Sequence, residues 1–307
     1  MLDFLQSHPA IAVGAGVVAL IVVVYVVSAV KTPSYLKRGA NVTIVARKPE
    51  AALRQLEALR SSDSQQLNYV AVDISSGLEQ VQAAFDPILK QVGDVHTIVN
   101  SAGISEAREF DKISQSGFER LLQVNVLGTI YATRAVLGGM KRNRGGRIVF
   151  VSSQVAHCAI YGYSAYAASK WALRGLAEAL QMEVRPYDIY VSVSYPPDTD
   201  TPGYKNEMTD KPQLTKMLSE SGVFQPTDVA MDIVNYSSKG YFAISHGFDG
   251  WLLKLLHPGM SPVNNIWEVT QQILGCAVAR IITLFYLVPW DNMIAKEVNK
   301  VSSSSAA

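Results

Sequence analysis

Cysteine is scarce: Cys158 and Cys276 are the two in 307 residues, far apart and outside any CxxC pair. That scarcity argues against a disulfide framework and against a zinc site, and it fits reduced thiols in a cytosol-facing protein. Charge is sparse as well. Only 17% of residues are charged, the formal net charge is +1, and no basic run or stripe stands out. Electrostatic binding of nucleic acid is therefore not expected, and no metal centre is. Internal repeats are lacking, and only the Ser-rich tail at 302–305 reads as disordered.

From Pro9 to Val30 charge is missing altogether, and the run is dominated by Val, Ile, Ala and Leu. About 20 apolar residues, each rising about 1.5 Å, cross a hydrocarbon core of about 30 Å. A cleaved signal peptide would open on basic residues and carry a shorter run. Here Lys31, Lys37 and Arg38 follow the run instead. The positive-inside tendency then places everything after residue 31 in the cytosol, so 1–31 reads as a membrane anchor. The run also holds Gly14-Ala-Gly16-Val-Val-Ala19, a GxGxxA pattern. A nucleotide-binding helix is amphipathic, whereas this segment is apolar all round. The competing reading, in which Ile11–Val30 folds in as a strand, a glycine turn and a helix, stays open beside the anchor.

Beyond the anchor, short β-branched runs alternate with helical patterns. Asn41–Ala46, Leu67–Val72, Val95–Val99, Arg147–Val151 and Ile189–Ser194 read as buried parallel strands. Helices are expected after Pro49, over 78–91, as one long element over 114–140, over 164–185 and over 227–238. Alternation of this kind predicts right-handed βαβ units and a doubly wound parallel sheet. The stretch Ile266–Trp290 is apolar but interrupted by Glu268 and Arg280. An amphipathic helix lying in a membrane interface, or a core or dimer-interface helix, would each account for it.

Tyr166 and Lys170 are four apart on a predicted helix and share one face. Ser153 stands just past a strand, Asn125 lies in the long helix before it, and Asn100-Ser-Ala-Gly103 follows another strand. Ligands of open α/β sheets bind outside the carboxyl ends of the strands, where Ser153 and Asn100 emerge. These groups suit carbonyl reduction. Hydride addition creates an alkoxide that needs a proton; a free phenol near pKa 10 is poorly matched to neutral pH, and a neighbouring ammonium would lower it. Ser153 would hold the carbonyl oxygen beside Tyr166, and Asn125 could hold a water linking Lys170 to solvent.

The order NSAG, Asn125, Ser153, YAASK resembles the short-chain dehydrogenase/reductase family over residues 38 to 240, with 241–307 as an added apolar segment. The resemblance implies a Rossmann-type domain and a nicotinamide cofactor. Arg47 falls where the family chooses between cofactors, and an arginine there accommodates a 2′-phosphate, which implies NADPH. Asp73 resembles the adenine-contacting aspartate, and Ala102 and Gly103 leave room for the cofactor. Pro196, Thr199 and Thr201 correspond to the segment that grips the nicotinamide, with Pro197 in place of the usual glycine. The stretches around Ile148–Gln154, Gly175–Val184 and Tyr195–Gly203 are similar to a branch of the family acting on a long-chain sphingoid-base ketone. That branch implies an endoplasmic reticulum membrane, a cytosol-facing domain and a substrate arriving from the bilayer. Self-association is a further candidate partnership.

The family's first strand, its TGxxxGIG loop and its first helix have no counterpart before Asn41, so an internal deletion near Lys37 and Arg38 is expected. A sheet without its central strand and a cofactor without its pyrophosphate site would follow. Three readings compete: an active NADPH-dependent reductase of a sphingoid ketone, another membrane-anchored steroid, retinoid or acyl-chain dehydrogenase, and a catalytically silent chain. Little or no activity is expected of this polypeptide.

Overall fold

The structure is a computed structural model, and it describes residues 20–24, 35, 38–60, 62–219 and 222–305. Its strands are β1 Leu20–Val24, β2 Asn41–Ala46, β3 Leu67–Ala71, β4 Thr97–Asn100, β5 Gly146–Val151, β6 Ile189–Tyr195 and β7 Ala243–Ser245. All pair in parallel, in the order β3-β2-β1-β4-β5-β6-β7. The doubly wound parallel sheet expected from the sequence is therefore present.

The position of β1 corrects two expectations. Leu20–Val24 lies between β2 and β4, with Val22 in register with Thr43 on one side and Ile98 on the other. The central strand is not deleted, and the run from Pro9 to Val30 is not one continuous membrane helix. The remainder of that run, and the expected deletion point at Lys37, lie outside the described residues. The physical cause of the misreading is clear. A parallel strand covered on both faces needs an uninterrupted apolar run, and Leu-Ile-Val-Val-Val reads the same whether its surroundings are helices or lipid. β-branching, which favours strands, was the distinguishing feature. The GxGxxA pattern precedes β1, whereas a phosphate-binding turn must follow its strand.

Helices cover both faces: α1 Glu50–Glu57, α2 Leu78–Val92, α3 Gln115–Leu122, α4 Thr129–Arg142, α5 Ser164–Val184, α6 Pro202–Asp210, α7 Gln213–Leu218, α8 Pro226–Ser238, α9 Gly247–Leu256 and α10 Ile266–Ser305. Successive strand residues divide between two cores, as the two-residue period of a strand requires. Ile98, Ile148 and Phe150 pack with Phe85 of α2 and Met140 of α4. Val99, Val149 and Val151 pack on the opposite face with Leu56 of α1 and Ile233 of α8.

Two helical expectations are corrected. The segment 114–140 is not one α-helix: a π-helical turn, Gln123–Gly128, separates α3 from α4. Gly128 permits close packing there, since a Cβ would stand 2.8 Å from the side chain of Ile74. The serine-rich tail is not irregular, because α10 runs on through Ser305. Within α10, Ile266–Glu297 is, among the described residues, the one helix long and apolar enough to cross a membrane, and only 6% of its most apolar window is buried. Such exposure disagrees with a core helix of this domain.

Candidate active site

The loops after β2, β3, β4, β5 and β6 all open at the carboxyl edge of the sheet, and they carry Arg47, Asp73, Gly103, Ser153, Pro196, Thr199 and Thr201. Ser153 follows β5 in extended conformation and precedes a short 3-10 turn, Gln154–Ala156. Its neighbour Ser152 donates from Oγ to the carbonyl of Lys170 at 2.9 Å, tying the end of β5 to α5. On α5, Tyr166 and Lys170 face that junction, one turn apart. Lys170 is buried, donates from Nζ to the Val151 carbonyl at 3.0 Å, and stands 5.7 Å from the centre of the Tyr166 ring.

The electrostatics of Tyr166 differ from expectation. Its phenol is held above the ordinary range, first by burial, then by the charge of Glu207 and more weakly by Asp198, while a hydrogen bond with Ser153 pulls it down. Lys170 was expected to lower it; here the carboxylates and burial prevail. The phenol consequently keeps its proton through the neutral range, the state that a proton donor needs.

Asn125 is completely buried within the π-helical turn. Its Oδ1 accepts from the backbone N–H of Ile104 at 2.8 Å, and its Nδ2 donates to the Ile104 carbonyl and to Ser169 Oγ, both at 2.9 Å. The side chain is thus engaged with protein groups rather than placed to carry a water. It fixes Ile104, which lines both of the cavities at this edge. Gly103 lies between Asn125 and Lys170: a Cβ there would be 3.2 Å from Asn125 Oδ1 and 3.3 Å from Lys170 Nζ.

The larger cavity, about 870 Å³, is lined by Gly103, Ser153, Tyr166, Lys170, Pro196, Thr199 and Thr201 at its polar end. Leu252, Leu253 and Leu256 of α9 and Tyr286, Leu287 and Trp290 of α10 form its other end. A second cavity of about 380 Å³ takes in Arg47, Asp73, Ser75 and Arg120. Burial alone would raise the Asp73 carboxyl, but two hydrogen bonds from Ser75, at 2.6 and 2.9 Å, and the charges of Arg47 and Arg120 outweigh it and hold it low. Asn100 and Ala102 line neither cavity: Asn100 is buried beneath, its Nδ2 donating to Thr133 Oγ1 of α4 at 3.0 Å.

Five residues were not anticipated. Arg120 gave no signal beyond a cation on a helix. Glu207, Tyr163, His157 and Lys211 come to the larger cavity or its wall from separate elements. Thr201 caps α6 by accepting from the N–H of Tyr204 at 3.1 Å, and Pro202 suits the first turn, so that α6 presents Glu207 to Tyr163, whose hydroxyl donates to it.

Comparison with known proteins agrees with this fold. A family model described as short chain dehydrogenase matches residues 31–212. A 3-dehydrosphinganine reductase of Danio rerio is 45% identical over 264 residues, covering 85% of this chain and 80% of its own. The 3-ketodihydrosphingosine reductase of Mus musculus is 39% identical over 311 residues, covering 92% and 94%. Among solved structures, ElxO with NADP bound matches with a TM-score of 0.64 at 20% identity, over 74% of this chain and 97% of that one, a likeness of fold.

Proposed function

Because the chain belongs to the short-chain dehydrogenase family, we propose that it reduces the C3 ketone of 3-dehydrosphinganine to sphinganine, with NADPH as hydride donor. The observation that carries the reading is the larger cavity, which takes in the Tyr166 phenol and, from α9 and α10, Leu252, Leu253, Leu256, Ile282, Leu287 and Trp290, with Asp249 and Arg280 as the charged groups among them. A short polar head with a long alkyl tail matches that division, and each buried methylene contributes about 0.8 kcal/mol.

The described residues fit such a cofactor at two places. Arg47 and Arg120 give the second cavity two cations that could meet a 2′-phosphate, beside the carboxylates of Glu119 and Asp73, of which Asp73 is available to the adenosine. Gly103 keeps open the space beside Lys170, which would hold a ribose hydroxyl. Bound NADPH supplies the hydride. Ser153 then orients the carbonyl oxygen, and Tyr166 gives that oxygen its phenolic proton, leaving a neutral alcohol. Lys170, anchored on the Val151 carbonyl, stabilises the phenolate that results.

Membrane association belongs to the same reading. Trp267, Ile273, Leu274, Leu284, Phe285 and Val288 of α10 are exposed, and the helix also walls the cavity, so a lipid tail could pass from bilayer to site along it. An endoplasmic reticulum location with a cytosol-facing domain is part of the same proposal, and the exposed apolar face of α10 supports its membrane attachment. The positive-inside support weakens, since β1 interrupts the N-terminal run on which it rested.

Purified full-length chain, reconstituted with phospholipid, should oxidise NADPH on addition of 3-dehydrosphinganine and yield sphinganine. Turnover of a steroid ketone instead would favour the second dehydrogenase reading. Residues 25–38 contain no glycine, so the family's glycine turn has no counterpart after β1. A fluorescence titration showing no NADPH binding would therefore point to a silent chain. Reversing one charge tests the cofactor assignment: Arg47→Glu should weaken NADPH binding about 10- to 100-fold and leave NADH nearly unchanged, the size expected for one charged hydrogen bond.

A further inference from the structure

The larger cavity contains two acidic groups that take no proton in the transfer described above. Glu207 of α6 and Asp198 of the loop after β6 both line it. Glu207 accepts from the Tyr163 hydroxyl, and the Tyr163 ring centre is 5.4 Å from that of Tyr166, which brings this carboxylate to the reacting end. Lys211 approaches Glu207 at 3.4 Å and Asp198 at 3.7 Å, with its side chain fully buried and its Nζ making no hydrogen bond. Two carboxylates therefore share one ammonium, and Asp198 is pushed up by burial, with Glu207 adding to the push.

An independent feature of the same cavity is His157, which neighbours Tyr195 and His257. His157 is 5% exposed and lines the cavity, its ring centre 4.0 Å from that of Tyr195 with the planes tilted by 37°, and neither of its ring nitrogens has a hydrogen-bond partner. Burial, with the neighbouring positive charges of Arg174 and Lys254, holds the imidazole neutral, its pKa down to about 3. A neutral imidazole offers one donor and one acceptor, both of which a hydroxyl can answer.

We infer that Glu207 and Asp198 seat a substrate ammonium on the carbon next to the ketone, and that His157 receives the neighbouring hydroxyl. The inference rests on the substrate reading above, because 3-dehydrosphinganine carries an amine at C2 and a hydroxyl at C1. Tyr166 must meet the oxygen on C3, and the amine is one carbon away, so a carboxylate on the same stretch of the cavity is within its reach. A second cation there balances the shared pair, and the polar head is fixed while the tail follows the apolar wall.

The test uses the full-length chain and three ketones: 3-dehydrosphinganine, its analogue without the amine, and its analogue without the C1 hydroxyl. Glu207→Gln should raise KM for 3-dehydrosphinganine about 10- to 100-fold relative to the amine-free ketone, as loss of a charge-assisted contact does, because any effect of Glu207 through the Tyr166 phenol falls equally on both ketones. His157→Phe, which keeps a ring against Tyr195, should abolish the preference for the hydroxylated ketone over the analogue without that hydroxyl. Retained turnover of the amine-free ketone doubles as the folding control. Should Glu207→Gln fail to fold, Asp198→Asn is read in the same way. Equal losses on the aminated and amine-free ketones would overturn the ammonium seat while leaving the reductase intact. A wild-type chain inactive on all three would instead overturn the substrate reading, and the inference with it.

Discussion

Replacing Tyr166 by phenylalanine should lower the rate of ketone reduction about 10²- to 10⁴-fold, the usual contribution of a positioned general acid. The substitution deletes one oxygen from a ring that packs between α5 and the cavity, and the hydrogen bond to Ser153 goes with it. Single-turnover oxidation of NADPH at saturating ketone is the measurement, because it isolates the chemical step. A neighbouring phenol provides the control. The Tyr163 ring centre is 5.4 Å from that of Tyr166, but its hydroxyl is engaged with Glu207, so Tyr163→Phe should cost far less. Losses of less than about tenfold for Tyr166→Phe would move the donor role elsewhere. The pH profile has a defined sign. Because the phenol is raised, its protonated form is present throughout the neutral range, and reduction should hold there and fall only as pH climbs through the raised value.

The second large effect is expected at Gly103. Asn125 Oδ1 and Lys170 Nζ flank the space that a side chain would enter, at 3.2 and 3.3 Å from the first carbon. Neither can retreat freely: Asn125 is tied to both backbone groups of Ile104, and Lys170 is tied to the Val151 carbonyl. Alanine would require shifts of a few tenths of an ångström, whereas the two further carbons of valine would displace one group outright. Overpacking of this kind costs about 1–3 kcal/mol of stability, and displacement by about 1 Å at a site can cost about 10²-fold in rate. Gly103→Val is accordingly expected to lower kcat about 10²-fold and to weaken NADPH binding, with a modest fall in Tm. Activity within twofold of wild type would show that Lys170 does not work from its observed position.

The sequence made some of this legible and concealed the rest, for physical reasons that differ from residue to residue. Strands β2 to β6 and helices α2, α5 and α8 follow from local apolar periodicity, which burial on a sheet enforces. Tyr166, Lys170 and Ser153 were readable because their chemistry depends on short, fixed spacings along one helix and one strand end. β1 was hidden because a strand covered on both faces and a membrane segment ask for the same side chains. Glu207, His157 and Arg120 were hidden because nothing local distinguishes them: they meet the cavities only after separate elements pack. Lys170 shows a third kind of limit. Its position was foreseen, but the balance at Tyr166 is decided by carboxylates 32 and 41 residues away along the chain.

The π-helical turn at Gln123–Gly128 has one more consequence. A wide turn amounts to one residue added to an α-helix, and each residue of an α-helix turns it by about 100°. α3 and α4 are thus out of phase with each other, so that α3 faces the second cavity through Arg120 while α4 sends Ala132 and Met140 into the core. Removing a single residue from 123–128 would bring the two helices back into phase and swing Asn125 away from Ile104. The backbone that separates the two cavities is held, in effect, by a miscount of one in a helix.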